Sequence, residues 1–302
     1  MSQRLLRLTE DFDKILARLD RQATRRIATA LDASYKQLEG EIKRRWTTLL
    51  SPDPLISDRR RLLIQQQLGI LLDLVSPEFD WQTLLFETYQ QASAIGLNLA
   101  QDVLDELAIE LIPQTQIPIE AIASVADDSF DRLKRHGQTF ANETTETLIL
   151  GLSQGWGIRR IQKALRSRLG VAKGRAEAIA RTETNRAFNN AATQRYIDAG
   201  MTGFIWIITK DDRLCPYCAP RGGRAYPLGA QSPPLHPNCR CSQLPWSQAL
   251  IDSGAIDVDV LKRDREFVLK EFEKVTGKKP TNRPGPFERG LLTAPQSIWE
   301  PA

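Results

Sequence analysis

The sequence predicts an α+β chain, with a mainly helical N-terminal region followed by a helix joined to a small β-rich lobe. Apolar residues recur at helical intervals from Phe12 to Ile42 and again from Ile158 to Leu169, the period of a helix with one buried face. The run Phe204-Ile205-Trp206-Ile207-Ile208-Thr209 is aromatic and β-branched, as strands are. All four cysteines then fall between positions 215 and 241, beside His236, one of only two histidines.

Composition bounds the class. A length of 302 residues allows two domains, and 41% hydrophobic with 26% charged residues excludes a wholly disordered chain. There is no run of eighteen apolar residues, so no membrane-spanning helix is expected. Residues 1–21 carry acidic side chains at helical spacing and lack the apolar core of a secretory leader. A reducing cytoplasm is the expected setting, unless the chain leaves the cell within a larger particle. The net charge of +4 hides a segregation: residues 1–61 hold 14 Lys and Arg against 9 Asp and Glu, and residues 62–130 hold none against 11. Residues 151–200 hold 10 against 3, and residues 201–250 hold 5 against 2. Such blocks make separate surfaces for different partners, or neutralise one another within the fold.

The elements follow in order. Phe12, Ile15, Leu16, Leu19 and Ile27, continued by Leu31, Tyr35, Leu38 and Ile42, form the stripe of a first long helix, which Ser51-Pro52-Asp53-Pro54 stops. A second helical region at 58–75 is broken by Ser76-Pro77, and a third runs over 80–111. Two prolines within 112–118 make a hinge. A helix over 124–151 and a break at 153–157 precede an amphipathic helix whose polar positions are basic: Arg159, Arg160, Lys163, Arg166 and Arg168. Those five are candidate contacts to nucleic acid or to an acidic protein.

Residues 174–199 are helical by alanine content. Thr182, Glu183, Arg186, Asn189 and Asn190 cluster on one side, with Ile179, Phe188, Ala192 and Tyr196 on neighbouring sides. The expected role of this polar side is a brace holding the helix to the lobe, built from Arg181, Thr182, Glu183 and Asn190 with Asp212 and Arg240 across from them; a plain solvated face is the other reading. A turn at 201–203 leads into the strand, Arg221-Gly222-Gly223-Arg224 forms a tight turn, and Tyr226 begins a short return strand. The proline-rich arm at 230–237 presents His236. A helix over 257–275 and a proline-rich extended tail close the chain, with Trp299 either an anchor for a partner's pocket or part of an unbound end. The divisions are thus 1–118, 119–247 and 248–302.

The chemistry lies in Cys215-Pro-Tyr-Cys218 and His236-Pro-Asn-Cys239-Arg-Cys241. Two thiolates two residues apart clamp one side of a small ion, and a His/Cys group arriving later closes a tetrahedron. Five candidate ligands for zinc's usual four positions point to a closed, structural centre. A disulfide pair and a redox CxxC are the competing readings, the latter disfavoured because no helix opens on the motif. No HExxH arrangement and no glutamate at deaminase spacing accompany the cluster, so hydrolysis is not expected and the chain reads as no enzyme. The lobe at 204–246 is too small for a persuasive core of its own, and ligation could supply about 10 kcal/mol.

Taken together, IARTETNRAFNNAATQRY, IWIITKDDRLCPYC and PPLHPNCRC resemble the head morphogenesis domain of the Mu F-like minor head proteins of tailed phages, over roughly residues 145–246. Arg181, Thr182 and Glu183 match the family's helical signature, and Asp212 and Arg213 match the polar approach to the metal loop. Cys215, Cys218, His236 and Cys239 match the ligand group, with Arg240 following as in the family and Cys241 in reserve. The resemblance implies a non-enzymatic minor capsid protein, in the virion head or at the portal vertex and assembled in the host cytoplasm. Its implied partners are the portal protein, scaffold or major capsid protein, and DNA contacted without sequence preference. Procapsid assembly, DNA packaging and ejection are its implied settings, with structural zinc and no membrane. Residues 1–118 would then offer a portal or capsid contact. The competing reading is a zinc-stabilised, nonspecific nucleic-acid-binding protein acting outside the virion.

Overall fold

The computed structural model describes residues 2–49, 81–109, 156–209, 215–230, 232–277 and 297–299, with scattered positions between 135 and 154. The expected stop at 51–54, helix at 58–75, break at 76–77, hinge at 112–118, most of the helix at 124–151 and the tail from 278 to 296 lie outside the described residues. Within them run helices α1 (Ser2–Leu49), α2 (Trp81–Glu106) and α3 (Ile158–Asp198), strands β1 (Gly203–Ile207), β2 (Ala225–Pro227) and β3 (Ser242–Trp246), and helices α4 (Gln248–Asp252) and α5 (Val258–Thr276). The predicted class holds: a mainly helical N-terminal region precedes a helix and a small β-sheet lobe. No described helix is long and apolar enough to cross a membrane.

The chain forms two compact units. One comprises Gln22–Leu85 and Asp127–Ala180. Its buried apolar residues include Ala23, Ile27, Leu31 and Tyr35 on α1 and Ile161, Leu165, Leu169 and Ala176 on α3. The Tyr35 hydroxyl donates to the Gln162 carbonyl at 3.4 Å. Lys173 pairs with Asp32 at 2.5 Å, Arg166 with Glu39 at 3.4 Å, and Arg168 and Arg175 both with Glu143 at 3.5 Å. Pairs this exposed contribute at most about 1 kcal/mol each, so apolar burial carries the unit.

The other unit comprises Met1–Arg21, Phe86–Ala126 and Arg181–Ala302. Leu5, Leu6, Leu16 and Leu19 of α1 are buried, but Ile15 is 41% exposed. Adjacent helical positions stand about 100° apart, so the stripe that buries Leu16 turns Ile15 to solvent. Ala100 and Leu104 of α2 pack with Ala192 and Tyr196 of α3, and Arg195, buried, donates to the Gln101 side chain at 3.1 Å. Sequence reading treated 158–169 and 174–199 as separate helical stretches, whereas α3 is one helix of 41 residues. Gly170 and Gly174 have open space around them; each costs the helix only about 1 kcal/mol, which is too little to break it.

The sheet has the order β2-β1-β3 and is antiparallel throughout. β1 is central and wholly buried. Phe204 lies opposite Tyr226 on one side and Pro245 on the other; a proline in β3 fits an edge position, where its missing N–H breaks no ladder bond. Trp299 has a place within the chain, because Ala225 donates to its carbonyl and accepts from Ile298, each at 2.9 Å. Helix α5 starts on Asp257, whose carboxylate accepts from the amides of Asp259 and Val260, and ends on Gly277 at φ 63°, a conformation glycine adopts without cost.

Gly96 marks the closest approach between α2 and α3: a Cβ there would stand 2.1 Å from the Phe188 carbonyl oxygen. Backbone cannot yield as a side chain can, so Gly96→Ala should destabilise the protein by about 1–3 kcal/mol. Urea denaturation reads the difference.

Candidate metal centre

The cluster is assembled from two tight turns that β1, α3 and α5 hold in place. In the first, the amides of Cys218 and Ala219 both donate to the Cys215 carbonyl, at 3.2 and 2.9 Å, and the Tyr217 amide donates to the Cys215 sulfur at 3.3 Å. That N–H···S bond stabilises negative charge on the sulfur. Arg221 lies over the Tyr217 ring at 3.9 Å and donates to the Tyr217 carbonyl. From α5, Arg265 donates to the carbonyls of Pro220 and Gly222 at 2.8 and 2.7 Å. In the second turn the Cys239 amide donates to the His236 carbonyl at 3.1 Å, and Asn238 adopts φ 61°, a left-handed conformation that asparagine tolerates.

The turns bring the candidate ligands together. The donor atoms of Cys215, Cys218 and His236 lie within 4.8 Å of one another, as do those of Cys218, Cys239 and Cys241. The Cys218 sulfur stands 3.1 Å from His236 Nε2 and 3.9 Å from the Cys239 sulfur. Two sulfurs about 2.3 Å from a tetrahedral zinc stand about 3.8 Å apart, so the Cys218–Cys239 edge fits. His236 Nδ1 is 2.8 Å from the Pro237 carbonyl. Donation there fixes the tautomer and leaves Nε2 as the ligand atom. None of the four cysteines forms a disulfide. Three cysteines and one histidine thus make a cluster compatible with structural zinc.

The donors hold protons unequally. The hydrogen bond with Cys218 holds Cys215 down to about 4, against burial and with help from His236. Hydrogen bonds with Cys218 and Cys241 hold Cys239 well below the usual thiol range. Its hydrogen bonds with Cys215 and Cys239 push Cys218 up. Cys241 is also raised: its bond with Cys218 acts downward, but Cys239 and burial outweigh it. Burial alone would lower His236, yet hydrogen bonds to Cys215 and Cys239 and the charges of both raise it to about 11. Were a cation to bind through His236 Nε2, the imidazolium proton would have to leave.

The polar side of α3 meets the second turn. Thr182 Oγ1 accepts from the Asn238 amide at 2.9 Å, and Arg181 donates to the Asn238 side chain at 3.0 Å and to Asp20 at 2.7 Å. Asn185 donates to the carbonyls of Cys239 and Cys241 at 3.0 and 3.2 Å, and Asn189 donates to that of Cys241 at 3.1 Å. Glu183 is buried and pairs with Arg186 at 3.4 Å. Asn190 is exposed and lines a groove with Gly229 and Pro233, while Asp212 and Arg213 lie outside the described residues. Sequence reading passed over Asn185. The signal was its place in the series Thr182, Asn185, Asn189, Thr193, Tyr196, one helical face of hydrogen-bonding residues.

The Arg240 charge acts on Asp13 of α1. Thr209 donates to the Arg240 carbonyl and, at 3.4 Å, to the Asp13 carboxylate. Burial pushes Asp13 up to about 7, reinforced by Glu10 and opposed by Thr209 and Arg240. The candidate basic residues belong to the unit that holds the first half of α3. Arg159, Arg160, Lys163, Arg166 and Arg168 are all exposed, and Arg160 lies over Trp156 at 4.1 Å.

Residues 142–244 match the model of a family described as Phage Mu protein F like protein. The match covers about a third of the chain, including α3, the two turns and most of β3. It suggests a relationship to phage head-morphogenesis proteins over those residues. No curated protein and no solved structure matches the chain.

Two outcomes test the geometry. Asn185→Ala leaves the Cys239 carbonyl without its amide partner and should cost about 1–3 kcal/mol in urea denaturation. For Asp13 the folded state binds the proton more tightly than the unfolded chain, so stability is greatest below the ordinary carboxylate value of about 4 and falls as pH rises to about 7. Asp13→Asn should abolish that fall and exceed the wild type above about pH 7 by about 1–3 kcal/mol, read by denaturation across that range.

Proposed function

We propose that the chain is a non-enzymatic minor capsid protein of a tailed phage or prophage, which acts at the portal vertex during procapsid assembly. The supporting observation is that the family match and the metal cluster coincide: residues 142–244 contain all five candidate ligands and the α3 face that holds them. In this reading zinc is structural. Cys215, Cys218, His236 and Cys239 hold it, and the ion ties the thiolate loop to the arm braced on α3. The resulting lobe is a rigid fitting rather than a reaction centre, with the portal protein as principal partner and scaffold or major capsid protein as further ones.

A second reading, nonspecific nucleic-acid binding outside the virion, draws on the exposed basic residues of α3. The two part on one experiment. In purified particles, crosslinking with mass spectrometry should join this chain to the portal protein; particles lacking such links, with tight binding of free duplex DNA instead, would favour the second reading. Elemental analysis should find zinc in the folded protein. Chelation or Cys239→Ser should lower thermal stability, and a metal-free protein of unchanged stability would end the zinc assignment.

A further inference from the structure

Four donors are enough for zinc, and Cys241 remains. Its burial matches that of its neighbours: 5% exposed, against 1% for Cys218 and Cys239. The three sulfurs lie within 4.8 Å of one another. The cluster therefore has two faces that share Cys218, with Cys239 on the all-sulfur face and hydrogen-bonded towards His236 as well. One adds Cys215 and His236, both half-buried, giving mixed nitrogen and sulfur donors. The other adds Cys239 and Cys241 and lies among Phe204, Trp206 and Tyr226 in the apolar core of the lobe. Trp206 bears directly on Cys241.

These faces suit different ions. Zinc takes four ligands and accepts imidazole readily, whereas soft thiolates select monovalent copper. Three sulfurs about 2.3 Å from an ion in their plane stand about 4 Å apart, and Cys218 and Cys239 are separated by 3.9 Å. A monovalent ion also loses less hydration than a divalent one on entering the drier side of the cluster.

We propose that Cys218, Cys239 and Cys241 form a second, all-thiolate ion face that takes Cu(I), alternative to the zinc set of Cys215, Cys218, His236 and Cys239. The inference rests on the metal reading above and extends it to which ion the cluster accepts. The two shared sulfurs make occupation exclusive. Each thiol that enters gives its proton to solvent, and Cu(I) on the sulfur face leaves Cys215 and His236 unligated.

The test uses the full chain without oxygen. Cu(I) is titrated against a chromophoric Cu(I) chelator, and zinc is measured by elemental analysis and competition. Cys241→Ser should retain its zinc affinity and lose Cu(I) affinity by at least about tenfold, whereas Cys215→Ser should lose zinc affinity by at least about tenfold and keep Cu(I) affinity within about threefold. Unchanged Cu(I) affinity in Cys241→Ser, or equal losses in the two variants, overturns the proposal. Near-UV circular dichroism reports whether each variant is folded, and Cys241→Ala replaces the serine variant if that one is not. A wild type that takes no zinc but whose Cu(I) affinity depends on Cys241 would refute the zinc assignment and leave the sulfur face standing.

Discussion

The Cys239 and Cys241 carbonyls accept hydrogen bonds from Asn185, and the second also from Asn189. These bonds fix the arm that carries Cys239 and Cys241. The arm is extended and enters β3 only at Ser242, so no strand ladder satisfies these carbonyls before that point. A buried carbonyl without a donor costs about 1–3 kcal/mol. Helix α3 supplies the donors from side chains fixed at successive turns, which ties the position of the ligands to a rigid element. The brace continues along β3, where Gln243 donates to the Asn189 carbonyl at 2.7 Å and its own carbonyl accepts from Tyr196 at 3.3 Å.

The opposite side of the cluster is held differently. Just beyond the Cys215–Cys218 loop, the carbonyls of Pro220 and Gly222 accept from Arg265 of α5, and Arg221 covers the Tyr217 ring. Arginine suits this task because a planar guanidinium can donate to two carbonyls at once and still pack its stem. The cluster is thus clasped between neutral amides on one arm and cationic forks on the other.

Much of this was legible in the sequence, for reasons that differ by element. The CxxC and HPNCRC spacings are local, and local spacing survives folding; hence all five candidates fall into the two neighbouring triads. The helix preceding β1 was legible from alanine content, and its polar side from the run of Thr, Glu and Asn. Which of those residues face inward was less so. Asn189 and Asn190 are neighbours in sequence, yet one is buried and the other exposed, and only the phase set by Thr182, Asn185 and Tyr196 separates them. Arg265 and Asp13 were not legible at all, since each meets the lobe from an element far away in sequence with no motif of its own.

The charge pattern shows how far a net count stands from a surface. Residues 151–200 carry 10 basic against 3 acidic residues, which suggests a strong field for phosphate. Arg181 and Arg195 are instead spent on Asp20 and Gln101 inside one unit, and Arg166, Arg168, Lys173 and Arg175 on Glu39, Glu143 and Asp32 inside the other. Arg159, Arg160 and Lys163 are exposed and make no ion pair among the described residues. Binding to a duplex through three phosphates releases few counterions, with a salt slope of only about −2.7. A stretch that pairs most of its basic residues with the chain's own carboxylates thus offers phosphate a weaker field than its net count suggests.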